Sequence, residues 1–356
     1  MIFLKNDYSV GAHPAVLQAL VDSNLKYFDS YGNDVKSLEV AAQVRERIGQ
    51  PEADVHFIVG GTLTNKTCLA AFARPYEAII SSTDGHIAVH ETGAIEATGH
   101  RLLEVCTDDG KIRPEQIKEI VACHNMDQMV LPKVVYISNT TELGSVYTRE
   151  ELMALRKVCD ECGLYLYIDG ARLAMALGVA GGSAESGSEE NVTDEQGACT
   201  KDHMSMAEIA GIADAFYVGG AKCGGMFGEM VVIVRDELKP FFRFMMRQNG
   251  ALFSKGWLVS MQFEALLKDG LYEQLGRHCN ELGRKLADGI RAKGYELAYE
   301  PGSNMIFPIF PKDQAAFLGN KVMFETWEDR GDAHVIRLVT SWASTEEEIN
   351  EFLALI

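Results

Sequence analysis

The stretch Asp214-Ala-Phe-Tyr-Val-Gly-Gly-Ala-Lys222-Cys-Gly-Gly-Met-Phe-Gly-Glu-Met-Val-Val-Ile-Val-Arg235 reads as an apolar strand, a glycine-dense loop carrying one lysine, and a second apolar strand. Glycine tolerates positive φ and lets a ligand approach the backbone closely. An ammonium group beside two buried strands is costly unless it is paired or put to use. Two readings are open for Lys222. It is either a solvated lysine at a hairpin tip or a desolvated lysine that condenses with an aldehyde. The rest of the chain decides between them.

With 356 residues the chain is long enough for one large domain and a smaller companion. A hydrophobic share of 47% and a charged share of 24% are those of a soluble globular protein. The net charge of −18 argues against nucleic acid and anionic membranes as partners, while leaving room for a local site for a small anion. Met1-Ile-Phe-Leu-Lys-Asn lacks the basic start and long apolar core of a signal peptide, and no apolar run approaches the roughly 20 residues of a membrane span. A cytoplasmic location is expected. The eight cysteines fall in core-like segments rather than in a disulfide framework. Cys159 and Cys162 form a CxxC late in a helical stretch from Thr148 to Gly163. No second CxxC completes a zinc site, so a structural role is the simpler reading and no metal is expected. Cys223, beside Lys222, suggests no role.

Upstream of the lysine loop, strand and helix signals alternate. Val55–Val59 reads as a buried strand and runs directly into Gly60-Gly61-Thr62-Leu-Thr-Asn65, after which apolar residues recur at helical spacing. That turn is either an ordinary glycine-containing connection or a phosphate site made from backbone N–H groups at a helix N-terminus. The alternation continues through a helix-like stretch opened by Gly85-His86, strands at Arg101–Cys106 and Lys133–Ile137, and a helix at Pro114–Cys123. Thr148-Arg-Glu-Glu151 is a capping box ahead of an amphipathic helix. Leu164–Ile168 is a further strand and ends in Asp169-Gly-Ala-Arg172. This pattern predicts an α/β fold with a mainly parallel sheet covered by helices on both faces. Functional groups in such sheets gather past the carboxyl ends of the strands. Gly60, Asp169 and Lys222 all stand at such ends.

Between Gly181 and Ser205 the pattern gives way to a polar run with six acidic residues and one lysine. It reads as an exposed insertion or as a flap near the site. An aromatic and basic helix is expected over Lys239–Gln248, followed by helical stretches through Trp257–Leu267 and over Leu271–Lys293. Tyr295–Tyr299, Met305–Phe310, Lys321–Thr326 and Val335–Trp342 read as strands, and Thr345-Glu-Glu-Glu348 caps a last helix. The expected division is a large domain over 1–250, with an N-terminal arm at 1–12 and the insertion at 181–205, and a small α+β domain over 251–356.

The ordered set of Leu4-Lys-Asn-Asp-Tyr8, Gly60-Gly-Thr-Leu-Thr-Asn65, His86-Ile through Glu91-Thr-Gly93, Ile168-Asp-Gly-Ala-Arg172, the Lys222 loop, Met246-Arg-Gln248 and Ile336-Arg-Leu-Val-Thr340 resembles the threonine aldolases of the β-eliminating lyase group. These are fold-type I enzymes that use pyridoxal 5′-phosphate, and the resemblance spans nearly the whole chain. It implies that Lys222 carries the cofactor covalently and that Asp169 sits against the pyridine nitrogen and keeps it protonated. Gly61 and Thr62 would bind the phosphate. His86 would stack on the cofactor ring and could also serve as a base, directly or through water. Arg337 would clamp the substrate carboxylate, with Arg172, Asn6 and His90 as further contacts to substrate, and Arg172 also reaching the cofactor. Such sites are usually completed by a neighbouring subunit, so a homodimer or homotetramer is expected, with Arg247 or Lys239 as contributors across the interface.

Several positions depart from the family pattern. Ala221 stands where serine is common before the lysine, so one phosphate contact is missing or supplied elsewhere. Ser138-Asn-Thr-Thr-Glu142 replaces Glu-Asn-Thr-His-Asn, which leaves the catalytic base and the β-carbon stereochemistry open. His90 stands where tyrosine is expected, and Phe244-Met245 replaces a glycine run. Three functions follow from the resemblance. The first is aldol cleavage of threonine or allo-threonine to glycine and an aldehyde. The others are β-elimination from a serine- or cysteine-like amino acid, and non-catalytic amino-acid or cofactor binding.

Overall fold

Alternate side chains of the strands around Lys222 enter two different cores, and this is what makes each strand read as an unbroken apolar run. Val135, Ile137, Leu166, Ile168, Phe216 and Val218 belong to one cluster, whereas Val134, Tyr136, Tyr167, Ala215 and Tyr217 belong to another. A sheet covered on both faces has no polar side to alternate with. The computed structural model describes residues 1–178 and 204–356. The acidic stretch 181–205 therefore lies, apart from its last two residues, outside the described residues.

The strands in chain order are β1 (Ile2–Phe3), β2 (Asp54–Ile58), β3 (Glu77–Ser82), β4 (Arg101–Val105), β5 (Leu131–Ser138), β6 (Tyr165–Asp169), β7 (Ala215–Gly219) and β8 (Glu229–Ile233). Then come β9 (Met305–Ile306), β10 (Ile309–Pro311), β11 (Val322–Met323), β12 (Glu325–Arg330) and β13 (Ala333–Val339). Seven of them form one sheet in the order β2-β8-β7-β6-β5-β3-β4. Strands β7, β6, β5, β3 and β4 run parallel, and only β8 is reversed, because the lysine loop folds it back on β7 as a hairpin. The α/β class with a mainly parallel sheet is confirmed.

Helix signals read from the sequence also hold. The Thr148 box caps Arg149–Cys162, which ends at Gly163 in the left-handed region, and Pro114 opens Pro114–Cys123. The aromatic helix begins later than expected, at Phe242. Pro240 and the left-handed Phe241 (φ 63°) break the chain just before it.

The second, smaller sheet joins β10, β13 and β12, with β9 also on β13. Here the sequence reading needs correction. Tyr295–Tyr299 is not a strand, and only Leu297 makes a bridge, to Pro308. Met305–Phe310 divides at Phe307-Pro308 into β9 and β10. Lys321–Thr326 divides too, because β11 leaves this sheet and pairs in parallel with β1 of the N-terminal arm. Lys312–Gly319 forms a helix that periodicity did not announce. Leu4 of the arm is buried in the core of this sheet with Leu286, Ile290, Ile336 and Phe352.

One helix, Leu271–Ala292, ties the two regions together. Its Tyr272, Leu275 and Cys279 pack with the large-sheet core, and its Leu282, Leu286 and Ile290 pack with the small one. Each fully buried leucine or isoleucine of this kind contributes about 1.5–3 kcal/mol. The Tyr272 hydroxyl donates to the carbonyl of Gly219, 2.9 Å away, and so fastens this helix to the end of β7.

Candidate active site

The carboxyl ends of β6 and β7 approach so closely that side chains are excluded. A Cβ on Gly170 would lie 1.9 Å from the carbonyl oxygen of Tyr217, and one on Gly219 would lie 2.2 Å from that of Ala171. Gly219 N–H donates to Gly170 O at 2.8 Å across this contact. Asp169 is thereby held immediately beside the loop that carries Lys222. In its own turn Asp169 Oδ1 accepts from Ala171 N–H at 3.0 Å.

Asp169 is only 3% exposed, yet it stays ionised. Burial works to raise its pKa. The positive charge of His86 and hydrogen bonds from Tyr136, Tyr217 and Asn65 outweigh that and hold it below the ordinary carboxylate value. The Tyr136 hydroxyl lies 2.6 Å and the Asn65 amide 2.9 Å from Asp169 Oδ2. Asn65 Nδ2 gives its other proton to Glu91 Oε1 at 2.8 Å, and its Oδ1 accepts from Tyr167 at 3.2 Å. Glu91 Oε1 in turn sits 2.7 Å from His86 Nδ1. The carboxylate makes Nδ1 the protonated nitrogen, which leaves Nε2 as the basic one. Burial works to lower the His86 pKa, but the Glu91 bond and the charges of Glu142 and Asp169 raise it above the usual histidine value.

Arg172 is buried too, and it is largely spoken for. Asp7 of the N-terminal arm receives its Nε at 2.6 Å and its Nη2 at 3.1 Å. Asn304 of the small domain adds a 3.0 Å bond to the same Asp7 oxygen. Arg172 Nη1 faces Glu142 at 4.0 Å. Burial works to raise the pKa of Glu142, and the charges of Arg172, Lys222 and His86 lower it below its ordinary value. Lys222 lies over the ring of Tyr8, with Nζ 5.9 Å from its centroid.

On the small-domain side, Arg337 is paired with Glu325 and lies 5.3 Å from the ring of Trp327. Its buried Nε has no partner. His90 stands between the two halves, 5.5 Å from the His86 ring and 6.2 Å from that of Trp327. Burial lowers the His90 pKa below the usual value. Gly61 and Thr62 open the helix Gly61–Phe72, whose N-cap residue Gly60 supplies no side-chain cap.

The fold thus gathers Lys222, Asp169, His86, His90, Arg172 and Arg337 through shared neighbours, with Gly61 and Thr62 at the adjoining helix end. Asn6 is not held by any of them. Its side chain accepts from Tyr8 N–H at 3.2 Å, and Asp7 is the arm residue that enters the site. Lys239 binds the Glu52 carbonyl at 2.8 Å, and Arg247 lies 4.9 Å from the ring of Tyr31, so neither touches the site within this chain. Sequence reasoning missed the roles of Asn65, Glu91 and Tyr136. Asn65 and Glu91 lay inside motifs it had singled out, and polar residues at such turns were the available signal. Asp7 lay inside the quoted arm motif in the same way, whereas Asn304, Glu325 and Trp327 offered no signal.

Residues 11–310 match the beta-eliminating lyase family. A low specificity L-threonine aldolase of a Pseudomonas species is 29% identical over 356 residues, covering 99% of this chain and 96% of the relative. The solved threonine aldolase of Leishmania major is 41% identical, superimposes with a TM-score of 0.92, and is matched over 100% of this chain and 98% of that one. An aspartate aminotransferase of Thermus thermophilus, at 16% identity and a TM-score of 0.71 over 100% of this chain and 90% of its own, shares the fold.

Proposed function

The chain belongs to the beta-eliminating lyase family of fold-type I, pyridoxal-phosphate-dependent enzymes, and on that premise we propose that it cleaves an L-β-hydroxy-α-amino acid, threonine or allo-threonine, to glycine and an aldehyde. The observation that carries this reading is the buried network Asp169–Asn65–Glu91–His86, set beside Lys222. It fixes one carboxylate in its ionised form and one imidazole in a defined tautomer at the same strand ends. The residues present fit pyridoxal phosphate. Asp169 keeps acceptor capacity for a ring N–H, and the helix start at Gly61 offers N–H donors to a phosphate. When bound, the cofactor supplies a sink for the electron pair left at Cα.

The division of labour among the residues follows from their surroundings. Lys222 would hold the cofactor through its Nζ. Asp169 would keep the proton on the ring nitrogen, a task for which an ionised carboxylate is required. Arg337 binds the substrate carboxylate, with Trp327 against its guanidinium and Glu325 on its Nη2. His86 in its neutral form, oriented by Glu91, takes the β-hydroxyl proton at Nε2 as the Cα–Cβ bond breaks and the aldehyde forms. Arg172, neutralised by Asp7, holds the arm in place, and its Nη1, which faces Glu142, would be the edge left for substrate or cofactor.

Large apolar side chains at Val21, Leu25, Tyr27, Phe241 and Phe244 are 68–102% exposed, which supports a homo-oligomer that buries them. The described cysteines are all free, which fits the reducing cytoplasm. No described helix is long and apolar enough to cross a membrane. The test is product identity with L-threonine, L-allo-threonine and L-serine. Glycine with acetaldehyde from either threonine isomer is expected, whereas ammonia and keto acid without glycine would replace the aldol reading with β-elimination. Lys222→Ala should lose both the bound-cofactor absorbance and turnover.

A further inference from the structure

Glu229 is a buried carboxyl that none of these roles uses. It opens β8 and lies in register between Gly219 of β7 and Ile58 of β2. The alternation along β8 places it on the face of Val231 and Ile233, which is also the face of Tyr217 and of the helix Gly61–Phe72 through Leu69 and Phe72. Its Oε2 accepts from Gly220 N–H at 3.0 Å, two residues before Lys222. Its Oε1 comes within 3.9 Å of where a Cβ on Gly61 would stand, and the Tyr217 hydroxyl comes within 3.4 Å of the same point. The carboxyl therefore sits between the lysine loop and the first turn of the helix expected to receive the phosphate. Ala221 of the lysine loop and Met230, next along β8, bring no side-chain donor.

The charge at this position matters because an ionised carboxylate would oppose a phosphate dianion, while a protonated one would donate to it. Burial pushes the Glu229 pKa up to about 8, against the pull of the Gly220 bond and Lys222 and with the help of Asp169. Tyr217 of β7 is a titratable group on the same face, while Cys223 of the lysine loop and Tyr272 of the long helix feel its charge from the core on the other face. From β2 and the helix Gly61–Phe72 it meets Ile58 and Gly61, which do not titrate.

We propose that Glu229 serves as a neutral carboxylic acid in the phosphate cradle, its proton facing the anion, so that binding the cofactor's phosphate in mildly alkaline solution takes up one proton. The proposal rests on the assignment of pyridoxal phosphate to this site. It gives the chain a phosphate donor in place of a serine before the lysine.

Calorimetric titration of the cofactor-free full-length protein with pyridoxine 5′-phosphate tests it. This probe carries the phosphate but no aldehyde, so condensation with Lys222 does not enter. Measurements at pH 6.5 and pH 9, each in two buffers of different ionisation enthalpy, give affinity and proton count together. Glu229→Gln keeps an acceptor for Gly220 and cannot ionise. Both proteins should bind equally at pH 6.5. At pH 9 the variant should bind about tenfold more tightly, the ratio for an acid one unit above its pKa, and the wild type should take up about one proton more than the variant. The phosphate's own titration is common to both proteins and cancels. Identical pH profiles, or equal weakening of the variant at both pH values, would overturn the proposal. If the variant does not fold, wild-type proton uptake at pH 9 on binding inorganic phosphate, which has no ring nitrogen, decides alone. Absence of binding at every pH would remove the cofactor assignment as well, whereas binding with equal proton uptake by both proteins would remove only the role of Glu229.

Discussion

Replacing Asp7 with asparagine isolates what the N-terminal arm contributes. Asp7 is fully buried, takes two hydrogen bonds from Arg172 at 2.6 and 3.1 Å, and takes a third from Asn304 at 3.0 Å. The substitution keeps the shape but removes the charge, leaving Arg172 buried with only Glu142 nearby, at 4.0 Å. Breaking a buried pair from one side costs about 3–5 kcal/mol. Because Glu142 still offsets part of the guanidinium charge, the lower end applies, about 3 kcal/mol. At an m-value of about 3 kcal/mol/M this is a fall of roughly 1 M in the urea midpoint with an unchanged slope. The pH dependence has a definite sign. Although burial works to raise the Asp7 pKa, the charges of Arg172 and Lys222 and the bonds to Arg172 and Asn304 hold it below its ordinary value. Its contribution is therefore present above the unfolded carboxylate pKa of about 4 and is lost as pH falls through the lower folded value. Urea titrations at pH 7 and at about pH 3, below the unfolded carboxylate pKa, measure both effects. The double variant Asp7→Asn with Arg172→Met removes both charges and should be less destabilised than Asp7→Asn alone. A single variant within about 1 kcal/mol of wild type, or a double variant worse than the two singles summed, would refute the charge argument.

Arg337→Lys removes the planar fork and should cost about 2–3 kcal/mol in kcat/KM, roughly 30- to 150-fold, chiefly through KM. Steady-state kinetics with threonine check it, and an unchanged KM would assign carboxylate binding to another residue. Glu91→Gln replaces the carboxylate whose hydrogen bond raises the His86 pKa with a neutral acceptor, so the acid limb of the kcat/KM profile should move to lower pH. A limb that stays in place would mean His86 is not the base. Gly219→Ala drives a Cβ to 2.2 Å from the Ala171 carbonyl oxygen, so it should lower stability by about 3 kcal/mol and weaken cofactor binding together. Wild-type values for the urea midpoint and the cofactor absorbance titration would show that the β6 and β7 ends are not closely locked.

What could be read from the sequence was local. Strand, glycine turn and helix follow one another within a few residues at Gly60-Gly61-Thr62, and a strand ends directly on Asp169. Such order sets the α/β class and places chemical groups at strand ends before any contact is known. The C-terminal strands were read less well, because runs such as Lys321–Thr326 are apolar enough for a strand but do not say which neighbour they pair with. Residues 322–323 pair with the arm, more than 300 positions away, and residues 325–330 pair with β13.

Within the site the same distinction holds. The sequence by itself determined which side chains were available: the lysine in its glycine loop, the aspartate ending a strand, and the histidine and arginine in their motifs. Tertiary structure decided their charge and orientation. It set Asp7 and Asn304 against Arg172, Glu325 and Trp327 against Arg337, and Glu229 between the lysine loop and Gly61. The physical reason is that protonation and hydrogen bonding in a buried site depend on burial and on partners within a few ångströms. Those partners come from strand register and domain packing, across separations that no local pattern encodes.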